Sequence, residues 1–394
     1  MIEYRPPVRQ LRILLLLLLA APAAARKTSV TSEMDKLLMA GVDHIYLMRF
    51  SEASADMAQA IALDPTYPHP YFGVAAIDLI TFIYGGKQGD PALLKSFEVK
   101  ALDSIKKAEA YLKTHPNDPD ALFILGASHG MFGRLAIVQR RWLQAFGHGR
   151  ASMKFVRRAV KLEPELYDAV LGLGMFDYYV ATIPKFAGWL AKIVLGGDRE
   201  RGLKQIRLAA EKGRYAKVTA QMILVEIYLE DPFGAYNPKE GLRLMREVHA
   251  QYPGSQMLDS AFISALYEAK ELDEALREAR VYHGNVQSGK YAATNLSNSH
   301  ALLGTLLWAS GDKDAALVEF VAGAEARAVR TKYMVWSRVR AGQVLDALGR
   351  RDEALAAYKA AYAEKDDWNL RALIKPCLKS PCVGEKYPGH FSPY

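Results

Sequence analysis

The sequence is poor in cysteine and lacks a conventional membrane-spanning run. Its two cysteines both lie near the C-terminal end, so none is placed for lipid attachment close to the N-terminus. The apolar run over residues 13–21 is shorter than the roughly 20 residues that a spanning helix needs. The nine histidines show no metal-ligand spacing. We therefore expect no lipidated N-terminus, no metal site and no cofactor.

The first 25 residues have the three parts of a secretory signal peptide. Arg5, Arg9 and Arg12 precede the apolar run, and alanines 23–25 follow it. No Arg-Arg pair precedes the run, which favours export of an unfolded chain over twin-arginine export. We predict a signal peptide over residues 1–25 and a mature chain secreted across the inner membrane into the periplasm. An uncleaved signal anchor is the alternative.

The net charge of +8 over 394 residues is mildly basic, and the positive residues are scattered. This balance suits an acidic partner or an anionic membrane surface and does not demand nucleic acid. We therefore expect no nucleic-acid partner, while peripheral contact with a membrane stays open.

Small residues recur in pairs 12 positions apart. The pairs are Gly41 with Ala53, Gly304 with Ala316 and Gly342 with Ala354, and Ile263 and Ala275 have the same spacing. Each pair predicts two helices that approach closely at the small side chains. Prolines that end amphipathic helices separate several of the units, since proline cannot continue a helix; these are Pro65, Pro116, Pro164 and Pro253.

These residues resemble the tetratricopeptide-repeat (TPR) family, whose unit of about 34 residues is a pair of antiparallel helices. The block over residues 174–203 looks like a subgroup of exported bacterial repeat proteins and is weakly similar to the inclusion-body-clearance relatives. The resemblance implies an all-α solenoid of about eight TPR-like hairpins over residues 34–366, followed by a C-terminal tail over residues 367–394. The units are predicted to begin near Met34, Pro68, Pro119, Tyr167, Lys217, Gln256, Ser297 and Val335.

Stacked hairpins form a superhelix with a concave groove, lined by the first helix of each unit. Four aromatic residues lie four positions beyond the small-residue position in units four to seven: Tyr178, Tyr228, Tyr267 and Trp308. They are the candidate partner-binding stripe, because aromatic side chains are favoured in binding hot spots. The alternative is that they pack the two helices of each hairpin together.

Two segments lengthen the expected spacing and predict inserted helices. The first, over residues 130–149, contains Arg140, Arg141 and Trp142, and the second, over residues 179–196, contains Phe186 and Trp189. Either segment suits a membrane surface or a partner, since each combines basic and apolar residues. Alternatively, both are helices that pad the groove or lock neighbouring units.

Two segments match the residue pattern of a catalytic motif but lack the sequence context that the motif requires. Residues 126–130, with Ser128 and His129, match a nucleophile elbow but fall inside a predicted helix rather than between a strand and a helix. Residues 284–290 resemble a phosphate loop, but Tyr291 replaces the magnesium-binding Ser or Thr. We therefore expect a protein that is not an enzyme.

In an oxidising compartment, Cys377 and Cys382 are close enough in sequence to close a small disulfide loop in a turn-rich tail, and a pair of free thiols is the alternative. Taken together, the sequence predicts an exported interaction scaffold that binds a peptide or protein in its groove. The alternative is a small-molecule or lipid-binding solenoid closed by the inserted segments, with a pocket lined by Tyr178, Phe186 and Trp189. The partner's identity and the oligomeric state stay open.

Overall fold

A computed structural model describes residues 28–84, 90–138, 141–182, 196–231, 234–326, 331–365 and 370–382. The predicted signal peptide lies outside these residues. Within them all regular structure is helical, as the sequence predicted. The helices are α1 (Ser32–Tyr46), α2 (Phe50–Leu63), α3 (His69–Tyr84), α4 (Pro91–Thr114), α5 (Pro119–Val138), α6 (Trp142–Leu162), α7 (Tyr167–Thr182), α8 (Arg199–Lys212), α9 (Lys217–Glu230), α10 (Pro238–Gln251), α11 (Gln256–Glu268), α12 (Leu272–Gln287), α13 (Leu296–Ala309), α14 (Lys313–Glu325), α15 (Lys332–Ala347), α16 (Arg351–Ala363) and α17 (Arg371–Lys379).

Within the described residues, the helices pair as eight hairpins, from α1 with α2 to α15 with α16, and each hairpin packs on the next. The predicted start of every unit lies within three residues of the first residue of an odd-numbered helix. The helical solenoid that the repeat pattern predicted is therefore confirmed. Helix α17 follows the last hairpin and packs against it.

Helix α1 illustrates how the sequence fixes each element. Thr31 caps its N-terminus by accepting a hydrogen bond from the amide of Met34. Its buried residues are Met34, Leu38, Gly41 and Ile45, which fall on one face at helical spacing. This single apolar face turns toward α2, so the helix is stable only as part of a hairpin.

The small residues of the repeat lie where two helices of a hairpin touch. A Cβ atom added to Gly41 would lie 2.2 Å from the terminal methyl of Met57 on α2. In the fourth hairpin both contact positions are glycine: a Cβ on Gly174 would lie 2.9 Å from the carbonyl oxygen of Gly202, and one on Gly202 would lie 2.6 Å from the amide nitrogen of Tyr178. Glycine replaces the usual alanine at position 202 because α7 and α8 approach backbone to backbone.

Several of the described hairpin turns include a residue with positive φ. In the last two hairpins this residue is glycine, Gly311 (φ 94°) and Gly349 (φ 75°). In the first and sixth it is Met48 (φ 56°) and Lys270 (φ 67°). Side chains with a Cβ are disfavoured in this left-handed region, so these two turns are strained relative to the glycine ones.

Helix α1 also docks onto the middle of the chain. At its start, Asp35 accepts hydrogen bonds from Arg214 and from the hydroxyl of Tyr215, in the loop before α9. The hydrogen bonds from Arg214 hold the pKa of Asp35 below its usual range. At its end, Tyr46 shares a 2.6 Å hydrogen bond with Thr219 on α9, and Tyr252 donates to Asp43 at 2.8 Å. The first hairpin therefore contacts the fifth and sixth directly.

Residues 370–382 form more regular structure than the turn-rich sequence around the cysteines predicted. Helix α17 includes Pro376, and Cys377 within it is bonded to Cys382. The backbone amide of Cys382 donates to buried Asp346 at 2.8 Å, and Arg351 donates to the carbonyl of Cys377 at 2.8 Å. The disulfide-closed segment thus covers the exposed end of the last hairpin, as terminal caps of solenoids do.

The first predicted insertion lengthens the third hairpin. Helices α5 and α6 have 20 and 21 residues, and only residues 139–141 separate them. Residues 183–195, most of the second predicted insertion, lie outside the described residues. None of the helices that the structure describes combines the length and hydropathy needed to cross a bilayer.

Candidate interaction surface

The predicted aromatic stripe is mostly buried. Tyr178, Tyr228 and Trp308 expose 3%, 5% and 7% of their surface, and Tyr267 is half-buried. Tyr178 donates a 2.5 Å hydrogen bond to Asp231, and the guanidinium of Arg207 donates to the Tyr228 hydroxyl at 2.8 Å. These contacts correct the groove assignment for three of the four aromatics, which pack between helices as the alternative proposed.

Trp308 has a specific packing role. The guanidinium of Arg340 on α15 lies 4.4 Å from its ring centroid, and the rings of Phe320 and Trp336 lie 5.7 Å from the same guanidinium. Because Arg340 is only 1% exposed, Trp308 shields a charge inside the array rather than meeting a partner. Tyr267, with Lys270 above its ring at 5.1 Å, keeps partial access to solvent.

The structure shows contacts for part of the first inserted segment, residues 130–149. Arg141 forms a 2.9 Å ion pair with Glu98 on α4, so it joins the second hairpin to the third. This contact fits the alternative interpretation, in which the inserted helices hold neighbouring repeat units together. The nearby side chains of Leu143 and Phe146 are 90% and 44% exposed and remain available for contacts. Arg140, Phe186, Trp189 and the side chain of Trp142 lie outside the described residues.

Polar and charged side chains from distant hairpins lie within electrostatic reach of one another. We call these residues the inner charge cluster: Arg134 on α5, Tyr179 on α7, Glu226 and Glu230 on α9, and Lys332 on α15. Glu226 accepts a hydrogen bond from Tyr179 and lies within electrostatic reach of Arg134 and Lys332. All five residues are on first helices of their hairpins, the helices that line the concave side of a solenoid.

The cluster is sheltered but reachable. Glu226 and Lys332 are half-buried, while Tyr179 is 38% exposed. Burial raises the pKa of Glu226 to about 7 and lowers the pKa of Lys332 to about 8. Both groups therefore titrate near neutral pH.

Sequence reasoning missed this cluster although one signal was present. Glu226 interrupts an otherwise apolar stretch of α9, and Thr219, Met222 and Glu230 share its more accessible face. The spacing of these residues by three and four marks one helical stripe. The convergence with Arg134 and Lys332, however, depends on the path of the whole superhelix and leaves no local pattern.

The two segments whose sequences match catalytic motifs belong to the helical framework of the array. Ser128 is fully buried in α5, where its hydroxyl donates to the carbonyl of Ile124 at 2.8 Å and contacts Ser104 at 2.8 Å. The neighbouring His129 pairs with His148. Residues 284–287 form the last turn of α12, where the negative end of the helix dipole disfavours a phosphate. Neither motif has the geometry of its namesake.

No family model and no curated protein matches the chain. Solved structures do: a TPR protein from Parabacteroides merdae has a TM-score of 0.33 at 14% identity, covering 78% of this chain and 98% of that one. Yeast Tom70 has a TM-score of 0.42 at 10% identity, covering 85% and 86%. A human IFIT1 dimer with PPP-AAAA has a TM-score of 0.46 at 16% identity, covering 90% and 87%. The chain is thus similar to TPR-repeat proteins, as its sequence resemblance indicated.

Proposed function

We propose that this helical-repeat scaffold binds an extended, polar segment of a protein partner along the surface that carries the inner charge cluster. The observation that carries the proposal is the electrostatic interaction of Glu226 with Arg134 and with Lys332, which belong to two other hairpins. The cluster presents sheltered charges of both signs beside Tyr179, which is 38% exposed. A peptide backbone with charged side chains offers both hydrogen-bond donors and acceptors to such a surface.

The same chemistry argues against an acyl chain at this position. A lipid tail would remove water from Glu226 and Lys332 without replacing their hydrogen bonds, which is unfavourable. A small polar molecule remains the alternative occupant, and the test below separates it from a protein partner. The aromatic stripe no longer supports the groove, because Trp308 and Tyr228 are buried.

We further propose that the scaffold acts outside the cytoplasm after loss of residues 1–25. The N-terminal pattern and the disulfide between Cys377 and Cys382 support this location, since such bonds persist in oxidising compartments. N-terminal sequencing of the chain from fractionated cells tests it. A periplasmic chain beginning at Arg26 is expected, and a chain that retains Met1 in the membrane fraction would establish the signal anchor instead.

The binding test uses two double variants of equal net charge. Glu226→Gln with Lys332→Met removes both charges from the inner charge cluster. The control, Lys106→Met with Glu109→Gln, makes the same changes at exposed positions of α4. Each chain is used to capture partners from solubilised cell envelope, and mass spectrometry identifies what it retains.

The proposal predicts that the wild type and the control variant retain one or a few proteins. The Glu226→Gln, Lys332→Met variant should lose them. Native mass spectrometry of the purified chain reports small ligands in parallel. The small-molecule alternative would be favoured if the Glu226→Gln, Lys332→Met variant loses a bound small molecule and no specific protein is captured by any chain. Equal protein retention by both variants would contradict the proposed surface.

A further inference from the structure

The outer part of the sixth and seventh hairpins brings together two histidines and a carboxylate. His283 lies on α12, His300 on α13 and Glu319 on α14. One ligand atom from each lies within 4.8 Å of the other two. We infer that these three residues form a binding site for a divalent transition metal ion of the zinc class. No local sequence pattern marks this site, because successive residues of the group are 17 and 19 positions apart and lie on three different helices.

Hydrogen bonding prepares His283 as a ligand. The hydroxyl of Ser299 donates its proton to the carbonyl of Leu296 at 2.9 Å, so it acts as an acceptor toward His283 Nδ1, 3.0 Å away. Nδ1 of His283 therefore carries the hydrogen, and the lone pair is on Nε2. A hydrogen bond from the second ring nitrogen is the usual way in which proteins orient a metal-binding histidine.

The other two ligands are already in contact. His300 Nδ1 lies 2.7 Å from Glu319 Oε2, and the rings of His283 and His300 are 4.5 Å apart between centroids. Ligand atoms around a tetrahedral zinc lie about 3.3 Å apart, given metal–ligand distances near 2 Å. Small side-chain rotations from the present arrangement reach that spacing, with one or more positions left for water.

The site is sheltered without being sealed. His283, His300 and Glu319 expose 9%, 12% and 21% of their surface, so an ion enters from solvent while the ligands stay ordered. Gly323 keeps the space open beside His300: a Cβ atom at position 323 would lie 3.0 Å from the Cβ of His300.

An ordinary ion pair explains only part of this arrangement. His249 Nε2 and Asp259 form a similar histidine–carboxylate pair at 2.9 Å, but they are not part of a three-ligand group in the described chain. His283 adds a second imidazole beside the His300–Glu319 pair, with its ring edge to face against that of His300. Two imidazoles and one carboxylate favour zinc and related metals over magnesium or calcium, which prefer oxygen ligands.

A metal ion there would join consecutive hairpins. His283 belongs to the second helix of the sixth hairpin, whereas His300 and Glu319 belong to the two helices of the seventh. Because nearest-neighbour interfaces carry the stability of a repeat array, an ion at this interface stabilises the joint between the sixth and seventh units. This inference is independent of the proposed partner surface.

The test is metal binding by the untagged full chain after treatment with a chelator. Titration calorimetry with Zn²⁺ measures stoichiometry and affinity, and Co²⁺ absorbance reports the geometry and nitrogen ligands. Glu319→Gln and His300→Asn remove ligands, and His249→Asn is the matched control. Circular dichroism confirms that each variant is folded; the partly exposed Glu319 makes Glu319→Gln the safer variant.

We expect one Zn²⁺ per chain, a rise in the melting temperature when it binds, and an affinity loss of about tenfold or more in both ligand variants. The control should bind as the wild type does. Absence of stoichiometric binding to the folded wild type, or equal affinity in wild type and Glu319→Gln, would overturn the inference.

Discussion

The guanidinium of Arg340 lies 4.4 Å above the ring centroid of Trp308, where both side chains are buried between the seventh and eighth hairpins. Arg340 also donates a 2.9 Å hydrogen bond to Gln343. A cation over an indole face is stabilised by the ring quadrupole, and more strongly when water is excluded. The pair shows how this array buries a charge that its apolar interior would otherwise disfavour.

A double-mutant cycle measures that interaction. We expect Trp308→Leu alone to lower the free energy of unfolding by about 3 kcal/mol, through lost packing and an uncovered cation. In an Arg340→Met background, Trp308→Leu should lower the free energy of unfolding by about 1–2 kcal/mol less than it does in the wild type, because no cation remains over the ring. Urea unfolding of the four chains gives the coupling. Strictly additive effects would mean that Trp308 acts by packing alone.

The strained turn at Lys270 predicts a stabilising substitution. Lys270→Gly should raise the free energy of unfolding by about 0.5–1 kcal/mol, because glycine adopts its positive φ without a Cβ clash. Gly349→Ala, in the equivalent turn of the last hairpin, should lower it by a similar amount. Chemical denaturation measures both. A destabilised Lys270→Gly chain would show that the lysine side chain outweighs the backbone strain.

The histidine pair of the third hairpin predicts acid sensitivity. His129 and His148 lie 3.0 Å apart between Nδ1 atoms, and burial, with a smaller effect of His148, lowers the pKa of His129 to about 4. Burial also lowers the pKa of His148. Since the unfolded pKa of His129 is near 6.5, the folded chain binds fewer protons and loses stability as the pH falls from 6.5 to 4.

His129→Gln should therefore reduce the loss of stability between pH 7 and pH 4.5 by about 1–2 kcal/mol, after allowance for partial exposure. His115→Gln, at an exposed position, is the control and should follow the wild type. Urea unfolding at both pH values gives the comparison. An unchanged difference for His129→Gln would show that the pair does not control acid stability.

The disulfide predicts a local effect on the C-terminal cap. Replacing Cys377 and Cys382 by serine should lower the stability of α17 by about 1–2 kcal/mol, as expected for a short closed loop. Hydrogen exchange of the α17 amides measures this, and faster exchange should be confined to the cap. The wild type in reducing agent should behave in the same way. Uniform acceleration across all hairpins would mean that the cap controls the whole array.

The sequence predicted the hairpins well because their determinants are local. Gly41 and Ala53, or Gly342 and Ala354, lie 12 residues apart in one hairpin, so the spacing itself records the contact. The aromatic stripe was harder to interpret. Tyr228 and Trp308 have the same register whether they face a partner or a neighbouring helix, and only the positions of Arg207 and Arg340 distinguish the two cases.

The inner charge cluster and the histidine–glutamate site were beyond local reasoning for different reasons. Glu226 and Lys332 are separated by most of the second half of the array, so their proximity follows from the superhelical path. His283, His300 and Glu319 are close in sequence, but their meeting depends on how three helices are rotated about their axes. Neither quantity is encoded in a short motif.

The docking of α1 has a consequence for the order in which the chain matures. Asp35 bonds to Arg214, and Asp43 to Tyr252, across 179 and 209 positions. A chain that emerges N-terminus first therefore forms its first hairpin long before the residues that hold it in place are available. Contacts of such long range slow the final stage of folding. The first hairpin waits, incompletely covered, until Ser255 has emerged to bond the backbone of Tyr46, so the unfinished chain is most exposed to aggregation and proteolysis at its beginning.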